Sequence, residues 1–418
     1  MQVARPGHWR SHWRRYERAT ALWADSGAMA LTGFAGEEPR VAPAPIAVLA
    51  KGRAARLCAL AAREGVSLTL DGPALLGERA ACHGFARRGR VSVGGSARLL
   101  RALGSWIAVN LPRPDDVACV PAWLECGPID GDPWDVVATR VRGRVAEELV
   151  ERAAWLGLAV AVPQFRKWRP VRLVGAGPRA ARPAGRRPLV VDLSSLWAGP
   201  LCGHLLGLAG ARVVKVEDVA RPDGARAGAA SFFDLLNAGK ESVALAFASG
   251  DGRAALSGLL DAADVVIESA RPRALQQLGI DADARVRARP GLTWISITGY
   301  GRHDPHGLRV AFGDDAAVAA GWAHAAGGRD GPLFCGDAIA DPMAGLAAAA
   351  AALEAWQDGR SALFDVALCD ALGPPVAIPE EVGRGLFAAP PRARTPAGRA
   401  RPLGADTAAV LRDLGIRA

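Results

Sequence analysis

One carboxylate stands out for its setting. In Asp337-Ala-Ile-Ala-Asp341-Pro342-Met-Ala-Gly345 an Asp-Pro pair opens an alanine-rich run. Pro342 suits the first residue of a helix, where its missing N–H is not needed, and Asp341 just before it suits the N-cap. The helix is expected to run through Met343 to about Trp356. Unpaired N–H groups and the positive end of the helix dipole favour the ionised form of a carboxylate placed there, which makes Asp341 a candidate nucleophile. On this stretch alone the plainer reading, a helix cap and nothing more, is the stronger one.

A nucleophile needs a substrate held beside it, and the elements upstream offer a frame. Short apolar strands are predicted at Leu189–Leu193, Arg212–Val216, Asp264–Glu268 and Thr293–Thr298, separated by helices at Leu201–Leu208 and Arg253–Ala262. This alternation implies a Rossmann-like α/β domain, a parallel sheet covered on both faces. Ligands on such sheets bind at the carboxyl ends of the strands. Four loops fall there: Ser194 to Pro200, Glu217 to Asp223, Ser269 to Arg273 and Gly299 to Arg302. Their small residues admit a ligand close to the backbone, and several bring an arginine able to pair with phosphate. No G-x-G-x-x-G follows the first strand, which counts against a dinucleotide site.

The rest of the 418 residues divides by texture. Residues 1 to about 80 read as helical, with a turn at Ala35 to Pro39. Residues 81–172 read as a small α+β domain with strands at Arg90–Val93 and Trp106–Leu111 and a helical period from Pro133 to Gly157. The Gly-, Pro- and Arg-rich segment 173–188 reads as a linker, followed by the sheet domain to about 390 and a tail, 391–418. Lysine and arginine total 51 against 42 acidic residues, a net charge of +9. The surplus admits a phosphate-bearing small molecule as readily as nucleic acid, for which no zinc-finger spacing, RNP signature or block of like charge is present. The seven cysteines are odd in number, scattered and without a C-x-x-C pair, so a reducing cytoplasm and no metal site are expected. No membrane span is expected, and the basic, aromatic stretch His8 to Arg15 lacks the apolar core of a signal peptide.

The strand-end motifs carry a resemblance. Val191-Asp-Leu-Ser194 with Ala198-Gly-Pro200, Gly210-Ala-Arg-Val-Val-Lys-Val-Glu217, Phe232 to Asn237, Gly239-Lys-Glu-Ser-Val-Ala-Leu245, Ala263 to Glu268 with Arg271-Pro272, and Ser296-Ile-Thr-Gly-Tyr-Gly301 resemble, in order and spacing, the family III coenzyme A transferases over roughly residues 187–375. The resemblance places the family's catalytic aspartate on Asp341 and implies CoA transfer between an acyl-CoA thioester and a carboxylic acid through aspartyl anhydride and aspartyl thioester intermediates. It implies CoA as substrate rather than a tightly bound cofactor. It places CoA backbone and adenine contacts at Ser195, Leu196, Trp197 and Ala198, phosphates near Lys215, Arg221 and Lys240, and pantetheine near Ser269, Ala270 and Arg271. Racemases of this family carry Gly-His-Asp where this chain has Gly313-Asp314-Asp315, and His303, His306 and His324 lie off that position. The two-base racemase route is therefore disfavoured.

About 185 residues precede the first family-like strand, unlike the family's order. Ser26 to Gly33 followed by Pro45-Ile-Ala-Val48-Leu-Ala-Lys-Gly52 parallels Ala320 to Gly327 followed by Ala338 to Gly345, with Val48 at the place of Asp341. The N-terminal half reads as a decayed partial copy supplying a small domain and a scaffold helix, so either a homodimer or a pseudo-dimeric monomer is implied. The rival to the enzyme is an acyl-CoA-binding pseudoenzyme.

Overall fold

The computed structural model describes residues 6–41, 46–164, 168–181, 185–303, 305–376 and 385–417, and for residues 6–15 and 272 the backbone alone. A small antiparallel sheet contains β1 (Ala97–Arg101), β2 (Trp106–Asn110) and β3 (Ala159–Ala161) in that order. The larger sheet holds β4 (Arg172–Gly177), β5 (Leu189–Asp192), β6 (Arg212–Asp218), β7 (Glu241–Leu245), β8 (Val265–Glu268), β9 (Thr293–Thr298) and β10 (Ser361–Ala367), in the order β4-β10-β9-β8-β5-β6-β7. All its pairings are parallel except β4 with β10.

The predicted strands of the sheet domain form as Val-, Ile- and Leu-rich runs buried on both faces, as a helix-covered parallel sheet requires. The segment 173–188 is not wholly a linker, because residues 173–177 belong to β4. Its glycines are there for space: a Cβ on Gly177 would sit 2.0 Å from the Val286 carbonyl and one on Gly175 3.2 Å from Leu363. Glycine lets this edge strand slide beneath the Ala282–Ala288 helix. Residues 182–184 of that segment lie outside the described ones. The Arg90–Val93 strand is not formed beyond an isolated bridge from Val91 to Arg98.

The helix Ala340–Gln357 is the axis of the largest core. Alanine has the highest helix propensity, and nearly every side is buried. Gly345 lets it touch the Ala198–Leu208 helix, since a Cβ there would lie 2.8 Å from the Ala198 carbonyl oxygen. On its other side lies Ile46–Arg63. Arg53 donates to the Met343 carbonyl (2.8 Å) and Gln357 to the Leu60 carbonyl (2.8 Å), so the two helices run in the same sense. Val48 is 40% exposed at the start of the N-terminal one.

Trp123, with its Nε1 donating to the Leu149 carbonyl, centres the separate core of the small domain. The tail lies across both halves of the chain. Arg394 pairs with buried Glu78, and Asp406 and Thr407 accept the Ser242 and Ala244 N–H groups along the free edge of β7, covering a row of backbone donors that would otherwise invite another strand. No described helix is long and apolar enough to cross a membrane.

Candidate active site

Asp341 is not the N-cap. The helix starts two residues earlier than expected, at Ala340 with Ile339 at the cap position, and Asp341 lies in its first turn with its N–H donated to the Ala338 carbonyl at 2.9 Å. Its carboxyl also meets the start of a second helix, where the Ala198 N–H favours its charge. Gly313 opens the space it occupies, because a Cβ there would lie 2.2 Å from Asp341 Oδ2.

The neighbours are unusually acidic. Asp337 is fully buried and Asp314 nearly so. Ala338 between the two turns has φ of 41°, a left-handed conformation costing a non-glycine residue about 1–2 kcal/mol. Its N–H donates to Asp314 Oδ1 at 2.9 Å. The balancing cation comes from far upstream: Arg79 Nε donates to Asp337 Oδ2 at 3.0 Å, its Nη2 to Asp337 Oδ1, and its Nη2 stands 4.0 Å from Asp314 Oδ2. The guanidinium lies 5.4 Å from the centre of the Trp197 ring and 5.9 Å from that of Phe85.

This setting overrides the helix dipole. Burial pushes the Asp341 carboxyl up to about 7; Arg79 and the Ala198 N–H oppose the shift, while Asp314 and Asp337 add to it. A helix terminus contributes at most about 2 kcal/mol to a carboxylate, too little to hold the group fully charged here. Burial likewise raises Asp314 to about 6, against the pull of Arg79. Asp315, raised by burial to about 7, accepts from Asn110 Nδ2 at 2.9 Å and from the Phe312 N–H at 3.0 Å. Asp315 Oδ2 and Asn110 Oδ1 are buried without hydrogen-bond partners among the described residues. Asp314, where racemases of the resembled family carry histidine, is occupied with holding the turn.

The expected CoA contacts divide. Ser195 and Leu196 are exposed at the end of β5, and the Ser195 N–H donates to Ser269 Oγ at 3.1 Å. Leu196 has φ of 71° and donates its N–H to Asp223 Oδ1 at 3.0 Å. Three strand-end loops thus converge. Ala270 is half-buried beside them, and Arg221 and Arg271 are exposed. Ala198 is buried, and Trp197 faces inward against Arg79 and Phe232 rather than outward towards an adenine.

Lys215 and Lys240 are corrections to the phosphate assignment. Lys215 Nζ donates to Asp223 Oδ2 and to the Ser194 carbonyl, both at 2.9 Å. Lys240 Nζ donates to Asp192 Oδ2 (2.8 Å), the Pro200 carbonyl (2.8 Å) and Asn237 Oδ1 (3.0 Å). Both ammonium groups are buried; Lys240 has an acceptor for each of its three N–H donors and Lys215 has acceptors for two. Lys240→Met should therefore cost about 3–5 kcal/mol of unfolding free energy by leaving Asp192 buried and unpaired, read by urea titration. Unchanged stability with weakened acyl-CoA binding would return Lys240 to the phosphates. Arg79 and the roles of Asp337, Asp315 and Asn110 were not legible in the motifs. Nor was the pairing of Lys240 with Asp192, which stands 48 residues away.

Residues 188–374, which carry Asp341 and the strand-end loops, match the profile of CoA-transferase family III. Over this part, under half of its length, the chain is similar to CoA-transferase family III. Similar proteins include an acyl-CoA transferase of Fusarium pseudograminearum, 31% identical over 43% of this chain and 44% of its own. A second is the succinyl-CoA–D-citramalate CoA-transferase of Chloroflexus aurantiacus, 28% identical over 44% of this chain and 49% of its own. A third is the (R)-2-hydroxy-4-methylpentanoate CoA-transferase of Clostridioides difficile, 34% identical over 40% and 45%. The crystal structure of the hypothetical protein Rv3272 of Mycobacterium tuberculosis is 31% identical, with a TM-score of 0.41 over 44% of this chain and 55% of that one. The chain thus spans about half the length of the curated CoA-transferase relatives it matches. Arg79, Asn110 and the small domain lie outside the family III match.

Proposed function

We propose that the protein transfers coenzyme A between an acyl-CoA thioester and a carboxylic acid through Asp341. The observation that carries this reading is a partly exposed aspartate in the family III region, its carboxyl at the meeting point of two helix starts and its proton affinity brought close to neutrality. In the first step an Asp341 carboxylate oxygen attacks the thioester carbonyl, the C–S bond breaks, and CoA thiolate leaves a mixed anhydride. The thiolate then attacks the Asp341 carbonyl carbon, releasing the first carboxylate and forming aspartyl-CoA thioester. A second carboxylate attacks that thioester, and the returning thiolate takes the new acyl group, restoring Asp341. The N–H groups at the helix starts supply donors for the oxyanions, the contribution that weighs most in acyl transfer.

CoA would lie along Ser195, Leu196, Ser269 and Ala270, with Arg221 and Arg271 as the exposed cations for its phosphates. The seven cysteines, all free, suit a reducing, cytoplasmic setting. The N-terminal helices beside the Asp341 helix in the same chain favour a pseudo-dimeric monomer.

The test is incubation with succinyl-CoA or acetyl-CoA, quenching with hydroxylamine, and peptide mass spectrometry. A hydroxamate on Asp341 supports the reading; acyl-CoA bound intact, with no adduct and no change in Asp341→Ala, supports a binding protein instead. Attack needs the carboxylate, so the rate of adduct formation should rise with pH through about 7 and level off above it. A profile flat from pH 5 to 9 would contradict that assignment.

A further inference from the structure

Arg79 stands 258 residues from Asp337 in sequence and outside the family III region, yet its guanidinium lies at the centre of the acid cluster. Its own helix, Glu78–His83, is fixed in place. Glu78 is fully buried and takes a fork of two hydrogen bonds from Arg394 of the tail, at 2.6 and 2.9 Å. Within the helix, His83 Nδ1 meets the Arg79 carbonyl at 2.9 Å. Gly94 leaves room beside the guanidinium, since a Cβ there would come within 3.4 Å of Arg79 Nη2. Trp197 and Phe85 lie beside it. A guanidinium so held has little freedom to leave its partner, and a bidentate arginine–carboxylate pair fixes direction as well as charge.

Asp337 matters as a partner because it leads into the catalytic helix. It is succeeded by Ala338 in its left-handed conformation, then by the first turn of the helix bearing Asp341. Asp314 grips the N–H of Ala338 while Arg79 grips the side chain of Asp337. The two contacts bracket the strained residue that aims the helix.

We propose that Arg79 is a positioning residue for Asp341: by clamping Asp337 it pins the turn from which Asp341 projects, and it sets a positive charge against the three carboxylates gathered there. The N-terminal segment thereby completes the site in the same chain. The inference deepens the proposed role of Asp341 and rests on it for its catalytic meaning.

The groups facing Asp341 define the test. They are Arg79 from the Glu78–His83 helix, Asp314 from Gly313–Ala319, Asp337 from the turn and the Ala198 N–H from its helix start. Arg53 of the neighbouring Ile46–Arg63 helix is engaged with the Met343 carbonyl. In this set Arg79 lowers the proton affinity of Asp341 and the acids raise it.

The full-length chain labelled with carboxyl-13C aspartate would be titrated by NMR, with the Asp341 signal identified by its loss in Asp341→Asn. Arg79→Met should move the Asp341 midpoint up by about one pH unit or more, and Arg79→Lys, which keeps the charge without the fork, should return most of that shift. Should Arg79→Met not fold, Arg79→Met/Asp337→Asn removes both members of that hydrogen-bonded pair and leaves Asp314, whose affinity for a proton is already raised, free to neutralise by protonation; the Asp341 midpoint should still lie above that of the unaltered chain. A midpoint unmoved in the single variant, or in the double where that must serve, overturns the proposal. The titration needs no substrate, so the absence of an adduct in the unaltered chain would count against the transferase reading alone.

Discussion

Asp341→Asn should abolish the hydroxylamine-trapped adduct and lower CoA transfer by about 10⁴-fold or more, the scale of loss when a covalent nucleophile is removed. The amide matches the carboxyl in shape and keeps an oxygen to accept the Ala198 N–H, so positioning survives while nucleophilicity does not. Stability should move the other way. The folded chain holds a proton on Asp341 up to about pH 7, whereas the unfolded carboxyl releases it near 3.8. The native state therefore binds more protons between those values, and the stability contributed by this group is full below about pH 4 and lost as pH rises through 7. At pH 8 the unaltered protein carries a half-buried charge that the asparagine variant lacks. The variant should melt at the same temperature as the unaltered chain at pH 4 and above it at pH 8, by differential scanning fluorimetry. A variant that lost both activity and stability at pH 8 would make Asp341 a structural cap, the plainer reading that the sequence first suggests.

The sheet is legible in the sequence and the acid cluster around Asp341 is not. Strands β5, β6, β8 and β9 announce themselves as apolar runs between helices, and their order brings the loops after β5 and β8 together, where Ser195 meets Ser269. Local pattern suffices for this because each strand's periodicity depends on its own neighbours. Arg79 has no such pattern. It sits in a six-residue helix, and its partner lies 258 residues away, a contact that only the packing of the N-terminal segment creates. Lys215 and Lys240 mislead for a different reason. Each lies in a motif of the sheet domain, Lys215 within β6 and Lys240 just before β7, but the fold buries both, and each pairs with a carboxylate, Asp223 for Lys215 and Asp192 for Lys240. The β4 strand is hidden because glycine and proline read as punctuation, although Gly175 and Gly177 serve close approach inside a sheet.

The same distinction between glycine for conformation and glycine for space makes Gly313→Ala the most damaging single methyl group in the site. Gly313 is the first residue of the Gly313–Ala319 helix and does not have a positive φ, so its backbone would accept any residue. Its surroundings would not: a Cβ would lie 2.2 Å from Asp341 Oδ2 and 2.3 Å from the Ala338 carbonyl oxygen. Backbone cannot yield cheaply at the strained Ala338, so the Asp341 carboxyl or the whole helix start must retreat by about an ångström. A displacement of that size at a reacting atom costs on the order of 10²-fold in rate, and overpacking costs about 1–3 kcal/mol of stability. Gly207→Ala is the matched control, since a Cβ there would meet nothing nearer than Val213 Cγ2 at 3.5 Å, and alanine improves on glycine within a helix. Adduct formation at Asp341 should fall about 100-fold in Gly313→Ala and stay unchanged in Gly207→Ala, with far-ultraviolet circular dichroism alike in both. Full adduct formation in Gly313→Ala would mean that the reacting carboxylate does not occupy the space that Gly313 leaves open.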